Sequence, residues 1–264
     1  MNKSEGKLLR VLLPAMVLVA LIGIWEIYVD SGGVSQFVLP APHAVATALW
    51  NNSALLWSNF KTTAIEVVLG IALALASGFG AAVAMHFSTT LRRALYPLAI
   101  GSQAVPFAVL APTLVFWWGF GIFPKLVIVA VICFFPVLVT TLDALWSVDP
   151  DQLKLLKTLD ASRWQAFRVA EAPAALPAAI SGAKIALAVA VIAAFIAETS
   201  TGATVGSATG LGWEIVNDIT ALQTAREYAA VVVLMVFAVA CFYTLALAER
   251  RLAPWAHQSR GEVR

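Results

Sequence analysis

The sequence predicts an all-α membrane protein of six transmembrane helices, and three observations predict it. Of its 264 residues, 61% are hydrophobic and only 12% charged, whereas a soluble domain carries about 25% charged residues. Long apolar runs alternate with short charged islands, as expected of a chain whose solvent is lipid. The basic residues also fall mainly on one side of that alternation, as they do in multi-pass membrane proteins.

A helix needs about 20 apolar residues to cross the hydrocarbon core. Six runs qualify, at approximately 11–29, 60–85, 94–117, 125–146, 179–200 and 228–248, and the whole chain, 1–264, reads as one transmembrane domain. None alternates in the manner of a barrel strand. Tyr28, Trp57, Trp117, Trp118, Trp146 and Trp255 stand near run ends, where an interfacial aromatic belt is expected. The first run is read as a retained span: it is long, and no small-x-small cleavage site follows it. With the N-terminus inside, thirteen Lys and Arg residues lie in cytoplasmic segments against Lys61, Lys125 and Arg226 outside, and Lys184 sits at the boundary. An even number of spans places both termini in the cytoplasm.

The first outer loop contains Leu39-Pro40-Ala41-Pro42, a stiff turn, and then a short helix from Ala44 to Trp50. The loop at 201–227 carries Gly202, Gly206, Gly210 and Gly212 and should bend easily. Pro97, Pro106, Pro112 and Pro136 interrupt the third and fourth spans. Each removes a backbone donor, so each marks either a packing kink or a helix lining a path.

The segment 149–177, between the fourth and fifth spans, differs from its surroundings. Asp149-Pro150-Asp151-Gln152 is one helix start, with Asp as cap and Pro at the first position. Ser162-Arg163-Trp164-Gln165 is a second, a capping box. Leu153, Leu156 and Leu159 recur at helical spacing, and Asp160-Ala161 between the two starts suits a sharp corner, because Asp tolerates the left-handed region. The corner is expected to expose Arg163, Trp164, Phe167 and Arg168. An aromatic pair flanked by arginines suits protein docking; an amphipathic hairpin on anionic lipid is the other reading.

The run Thr158-Leu159-Asp160-Ala161-Ser162-Arg163-Trp164-Gln165-Ala166-Phe167, followed by Pro173-Ala174-Ala175-Leu176-Pro177, resembles the cytoplasmic signature of binding-protein-dependent ABC transporter permeases. The family pattern has Glu-Ala-Ala where Lys154-Leu155-Leu156 stands here, and Gly where Asp160 stands. The resemblance extends over most of the chain: Leu39 to Pro42; Val105-Pro106-Phe107 with Ala111-Pro112; Trp117-Trp118-Gly119-Phe120-Gly121; and Ala197-Glu198 with Thr209-Gly210-Leu211-Gly212. Together these resemble the nitrate, sulfonate, taurine and vitamin-precursor branch. Phe134-Phe135-Pro136-Val137 and Ser147-Val148-Asp149-Pro150 lean towards pyrimidine thiamine precursors or riboflavin.

The resemblance implies a type I ABC importer-like fold with a cytoplasmic coupling helix. Asp160, Ala161, Ser162, Arg163, Trp164, Phe167 and Arg168 would then contact an ABC ATPase subunit. It implies further partners: a periplasmic or lipoprotein substrate-binding protein docking on the outer loops, a second permease copy, and membrane lipid in a bacterial cytoplasmic membrane. The chain has no G-x-x-x-x-G-K-[ST] loop, so ATP and magnesium would be used by the partner subunit, and this chain itself is expected to bind no cofactor. The chain is read as a transport subunit and not as an enzyme. His43, His86 and His257 are too dispersed to suggest a zinc site; the net charge of +2 says little about partners, and the permease resemblance implies no nucleic-acid partner.

Gln103, Pro106, Glu198 and Thr199 are the candidates for a translocation path. An ionisable group within a span is a functional candidate by default, so Glu198 either meets substrate, holds a gate through Thr199, Ser200 or a backbone amide, or stands solvated at the outer interface. Glu66 is similarly placed, and a helix starting one turn later would leave it in water. Gln103 either reads a polar solute or bonds helix to helix. Two rivals to the importer reading stand: a membrane scaffold recruiting a partner through the 149–177 hairpin, and a secondary transporter, whose usual marks of several intramembrane charges and an inverted repeat are not evident in the sequence.

Overall fold

The computed structural model describes residues 3–201 and 210–254. Gly202, Gly206, Thr209, Trp255 and His257, considered above, lie outside the described residues, as do Arg260 and Arg264, two of the thirteen basic residues assigned to cytoplasmic segments. In order, the helices are α1 (Lys3–Asp30), α2 (Pro42–Asn51), α3 (Ser53–Phe87), α4 (Thr89–Ser102), α5 (Phe107–Trp118), α6 (Ile122–Trp146), α7 (Pro150–Thr158), α8 (Arg163–Ala166), α9 (Ala172–Thr201), α10 (Leu211–Thr220) and α11 (Thr224–Leu252). A π-helical turn, Phe167–Glu171, joins α8 to α9. Among the described residues there is no strand.

Among the described residues, five helices, α1, α3, α6, α9 and α11, are long and apolar enough to cross a membrane. The run at 94–117, expected to be a single span, is instead two shorter helices, α4 and α5, separated at residues 103–106. The reason is local. Pro106 has no amide hydrogen and biases Val105 away from the helical region. The amides of Gln103, Ala104 and Val105 turn back to Ile100, Gly101 and Ser102 at 3.0–3.2 Å, a tightened ending of α4.

The core is the packing of α3 and α9 on either side of α6. Val67 and Ala74 of α3, Val129, Cys133 and Val137 of α6, and Ala186, Ala190, Ala193 and Ala194 of α9 form one buried cluster. In lipid, helices associate by close packing because the tails are as apolar as leucine. Gly70, Ala74, Gly78 and Ala82 supply a small residue at every fourth position of α3. A Cβ at Gly70 would lie 2.5 Å from Val129 Cγ1, and one at Gly78 would lie 2.9 Å from Val137 Cγ1. Both pairs are eight residues apart on each helix, so α3 and α6 stay in register for two turns.

The helices around this core expose their apolar side chains. Most of α1 is exposed, and it meets the rest of the chain near its C-terminal end, where Trp25 lies 6.3 Å from Tyr228 of α11. Tyr28, Trp57, Trp117 and Trp118 are exposed near helix ends, as a belt requires. The short helix expected after Leu39-Pro40-Ala41-Pro42 is α2, with Pro42 in its first turn.

Candidate functional site

The functional candidates fall at two ends of the bundle, with the α4–α5 break between them. At one end, the Asp149 carboxylate caps α7 by accepting from the Asp151 amide at 2.8 Å. The helix ends with Asp160 at φ 52°. The Ala161 amide donates to the Leu156 carbonyl and the Asp160 amide to that of Lys157, both at 3.1 Å. That pairing is a Schellman ending, so Asp160 occupies the left-handed position that glycine usually fills. Ser162 then starts α8: its Oγ accepts from the Gln165 amide at 3.3 Å, and its own amide donates to Gln165 Oε1 at 2.7 Å.

The corner is fastened to the end of α3. Arg163 Nη2 donates to the carbonyl of His86 at 2.9 Å and its guanidinium lies 5.2 Å from the Phe87 ring, which satisfies a carbonyl left over at a helix terminus. His86 Nε2 is 2.8 Å from Glu171 Oε2 in the π turn. Phe87 packs edge-on to Phe167 at 5.1 Å, and Trp164 stacks on Phe167 at 5.3 Å. One expectation is corrected here: Phe167 is 9% exposed, packed with Ala144, Leu145 and Ala175. The π turn rotates it inward against α3. Arg163, Trp164 and Arg168 are exposed as expected. They share the surface with Leu155, Leu159 and Val169, which are also exposed.

At the other end, α10 is stitched across α3 and α9. Glu198 of α9 is fully buried. It accepts from the hydroxyl of Thr63 and from the backbone amide of Gly212. Of the partners considered for it, the backbone amide is one it takes; Thr199 and Ser200 instead donate to the carbonyl of Ile196, at 3.0 and 2.6 Å. Thr63 Oγ1 also accepts from the Leu211 amide at 2.9 Å, and Asn59 bridges the Gly210 amide and Glu214 Oε2 at 3.4 and 3.1 Å. Gly210, at φ +100°, has no room for a Cβ beside the Glu198 carboxylate. Arg226 of α11 pairs with Asp218, with its Nε at 2.8 Å from Oδ1, and lies 3.5 Å from Glu214. Burial and the neighbouring Asp218 push the Glu214 carboxyl above its ordinary range, against the opposing pull of Arg226 and Asn59.

Glu66 is not solvated. The helix α3 begins at Ser53, two turns before the expected start of the span, and carries Glu66 to full burial. It is paired with Lys125 of α6 at 2.9 Å and lies beside Glu198. Lys125, counted above among outer charges, is likewise buried. Sequence reasoning missed Asn59, Thr63, Lys125, Glu214, Asp218 and Arg226 as members of this cluster. A signal for three members was present: Asn59, Thr63 and Glu66 are polar at i, i+4 and i+7 within an apolar helix, one face by helical spacing.

Gln103 and Pro106 do not join either end. Both are exposed in the break between α4 and α5. The arrangement as a whole joins two hydrogen-bonded ends through α3 and α9. It holds hydrogen-bonded locks, with no paired nucleophile and base among these groups.

Residues 70–255 match the family described as "Binding-protein-dependent transport system inner membrane component". The chain is 32% identical over 237 residues to a probable ABC transporter permease protein of Haemophilus influenzae, covering 90% of this chain and 95% of that one. It is 29% identical over 243 residues to the formylaminopyrimidine transport permease protein ThiX of Halalkalibacterium halodurans, covering 92% and 95%. A solved structure described as "Crystal structure of an amino acid ABC transporter with histidines" superposes with a TM-score of 0.60 at 16% identity, over 78% of this chain and 97% of that chain. At that identity the likeness is one of fold.

Proposed function

Since the chain belongs to the binding-protein-dependent transport system inner membrane components, we propose that it is the permease subunit of an ATP-driven importer, with α7 and α8 as its coupling element. The observation that carries this reading is the corner at Asp160. Its exposed face, Leu155, Leu159, Trp164 and Val169 flanked by Arg163 and Arg168, is held to the inner ends of α3 and α9 by the His86, Phe87 and Glu171 contacts. A surface fixed in this way passes a push from a docked ATPase into the bundle.

In this reading α4 and α5 together make the third of six crossings, and both termini are cytoplasmic. Non-helical backbone at membrane depth is tolerated only against protein or a water-filled cavity. The exposed segment at 103–106 therefore faces a path enclosed with a second copy of the chain. The outer cluster around Glu198 is the closed outer gate. A substrate-loaded binding protein docks near α2 and α10, and alternating access follows as a population shift between two states. The solute is small, polar and organic. A pyrimidine thiamine precursor or a riboflavin-like vitamin is favoured by the sequence resemblance, and the former also by the likeness to ThiX; sulfonate, taurine and nitrate are the alternatives.

The test is co-purification with an ABC ATPase encoded beside this chain and co-expressed with it, through a tag on this chain. Equal retention by the wild type, and release by Trp164→Ala with Arg163→Ala, supports the proposal. Absence of the ATPase under several mild detergents overturns it. A second reading, a secondary transporter, is favoured by the buried Glu66, Lys125 and Glu198, because intramembrane charges mark ion pathways. It predicts uptake without any ATPase.

A further inference from the structure

We propose that the pocket where α4 begins and α6 ends is a binding site for the headgroup phosphate of an anionic phospholipid. The pocket has a volume of about 390 Å³ and is lined by Arg92, Arg93, Tyr96, Pro97 and Trp146. Arg92 and Arg93 are neighbours near the start of α4, so two guanidiniums gather at the pocket. Among the described residues, neither guanidinium has an ion-pair or hydrogen-bond partner. By contrast, Arg163 is bonded to the His86 carbonyl and Lys184 to Glu249.

The aromatic walls set the depth. Tyr96 meets Trp146 edge-on at 5.5 Å, and Arg92 lies 5.0 Å over the Trp146 ring. Tyr and Trp of this kind sit at headgroup level. Beyond them, Leu95 and Leu98 are exposed on α4 and continue the surface for acyl chains. The same geometry selects against a zwitterionic headgroup. Arg92 already occupies the tryptophan face that would otherwise take a choline ammonium, and no carboxylate lines the pocket. A guanidinium pair matches phosphate oxygens bidentately, so arginine here does more than contribute charge.

The site stands independently of any ATPase and is tested on the full chain alone. Native mass spectrometry of the purified protein is titrated with phosphatidylglycerol and with phosphatidylcholine of identical acyl chains. The expected result is at least tenfold tighter retention of phosphatidylglycerol, lost in Arg92→Ala/Arg93→Ala, reduced in Arg92→Lys/Arg93→Lys, and kept in Lys154→Ala/Lys157→Ala. Equal retention of the two lipids by the wild type overturns the proposal without recourse to any variant. So does displacement of phosphatidylglycerol by millimolar inorganic phosphate, which would mark a free-anion site, or undiminished binding by the double alanine variant.

Discussion

Thr63 is bonded in both directions: its hydroxyl donates to Glu198 and accepts the amide of Leu211. One side chain on α3 thereby closes α9 and α10 on each other, inside a fully buried site. Replacing it with valine keeps the shape, leaves the buried Leu211 amide without its acceptor and takes one donor from Glu198, which keeps the Gly212 amide. An unpaired buried group costs about 1–3 kcal/mol. Thr63→Val is expected to lower the thermal unfolding midpoint in detergent by several degrees, and Thr63→Ser to stay near wild type. Equal behaviour of the two variants would remove the hydroxyl from the account of how α10 is held.

The α3–α6 seam makes a sharper comparison within one helix. A Cβ at Gly78 meets Val137 at 2.9 Å, whereas one at Gly80 meets nothing within 4 Å. Gly78→Ala is therefore expected to destabilise by about 1–3 kcal/mol through overpacking. Gly80→Ala should be neutral or slightly stabilising, since alanine is the better helix former. Adding Val137→Ala to Gly78→Ala should recover part of the loss. Chemical unfolding of the four proteins in one detergent decides it.

Much of this fold could be read from the residues because local rules and tertiary contacts agree. The Asp149 cap, the Ser162–Gln165 box and the left-handed Asp160 follow from side chains acting on their own backbone. The long spans follow from the length of apolar runs. Legibility ends where a partner lies far off in sequence. Glu66 and Lys125 are 59 residues apart, and Thr63 and Glu198 135 apart; no spacing rule joins them. The α4–α5 break was hidden because hydropathy runs straight through residues 103–106, although Pro106 was the warning. The burial of Phe167 is not legible either, because the two helix starts give no sign of the π turn at Phe167–Glu171, which shifts the face that each residue presents.

The burial of Phe167 separates support from surface at the corner. Phe167→Ala removes a ring packed against Phe87, Trp164 and Ala175, and buried Phe→Ala changes cost about 3–5 kcal/mol. That variant should unfold at a lower temperature with or without a partner. Trp164→Ala removes a mostly exposed ring. It should leave the unfolding of the isolated chain nearly unchanged while weakening retention of the ATPase. Measuring both properties on both variants distinguishes the roles; a Trp164→Ala protein that keeps its ATPase would move the docking face elsewhere.

Glu26 of α1 fastens α2 by accepting from both the backbone amide and Nδ1 of His43. His43 lies outside the spans, and this hydrogen bond is the main cause that raises its pKa above the ordinary 6.5, with the charges of Glu26 and Asp30 adding to it and desolvation opposing. A histidine whose folded-state pKa is raised contributes stability that is full below its unfolded value and is lost as the pH climbs through the raised value. The α1–α2 staple should thus hold in mild acid and loosen on the alkaline side of 6.5. The His43 ring resonance, assigned with His43→Gln, should titrate above 6.5 in the wild type and return to the ordinary range in Glu26→Gln, with a smaller shift in Asp30→Asn. Hydrogen exchange at the first turn of α2 should quicken over the same pH interval in the wild type. If the Glu26→Gln midpoint matches that of the wild type, the carboxylate is not what holds the imidazole, and α1 must be anchored chiefly by the Trp25–Tyr228 contact.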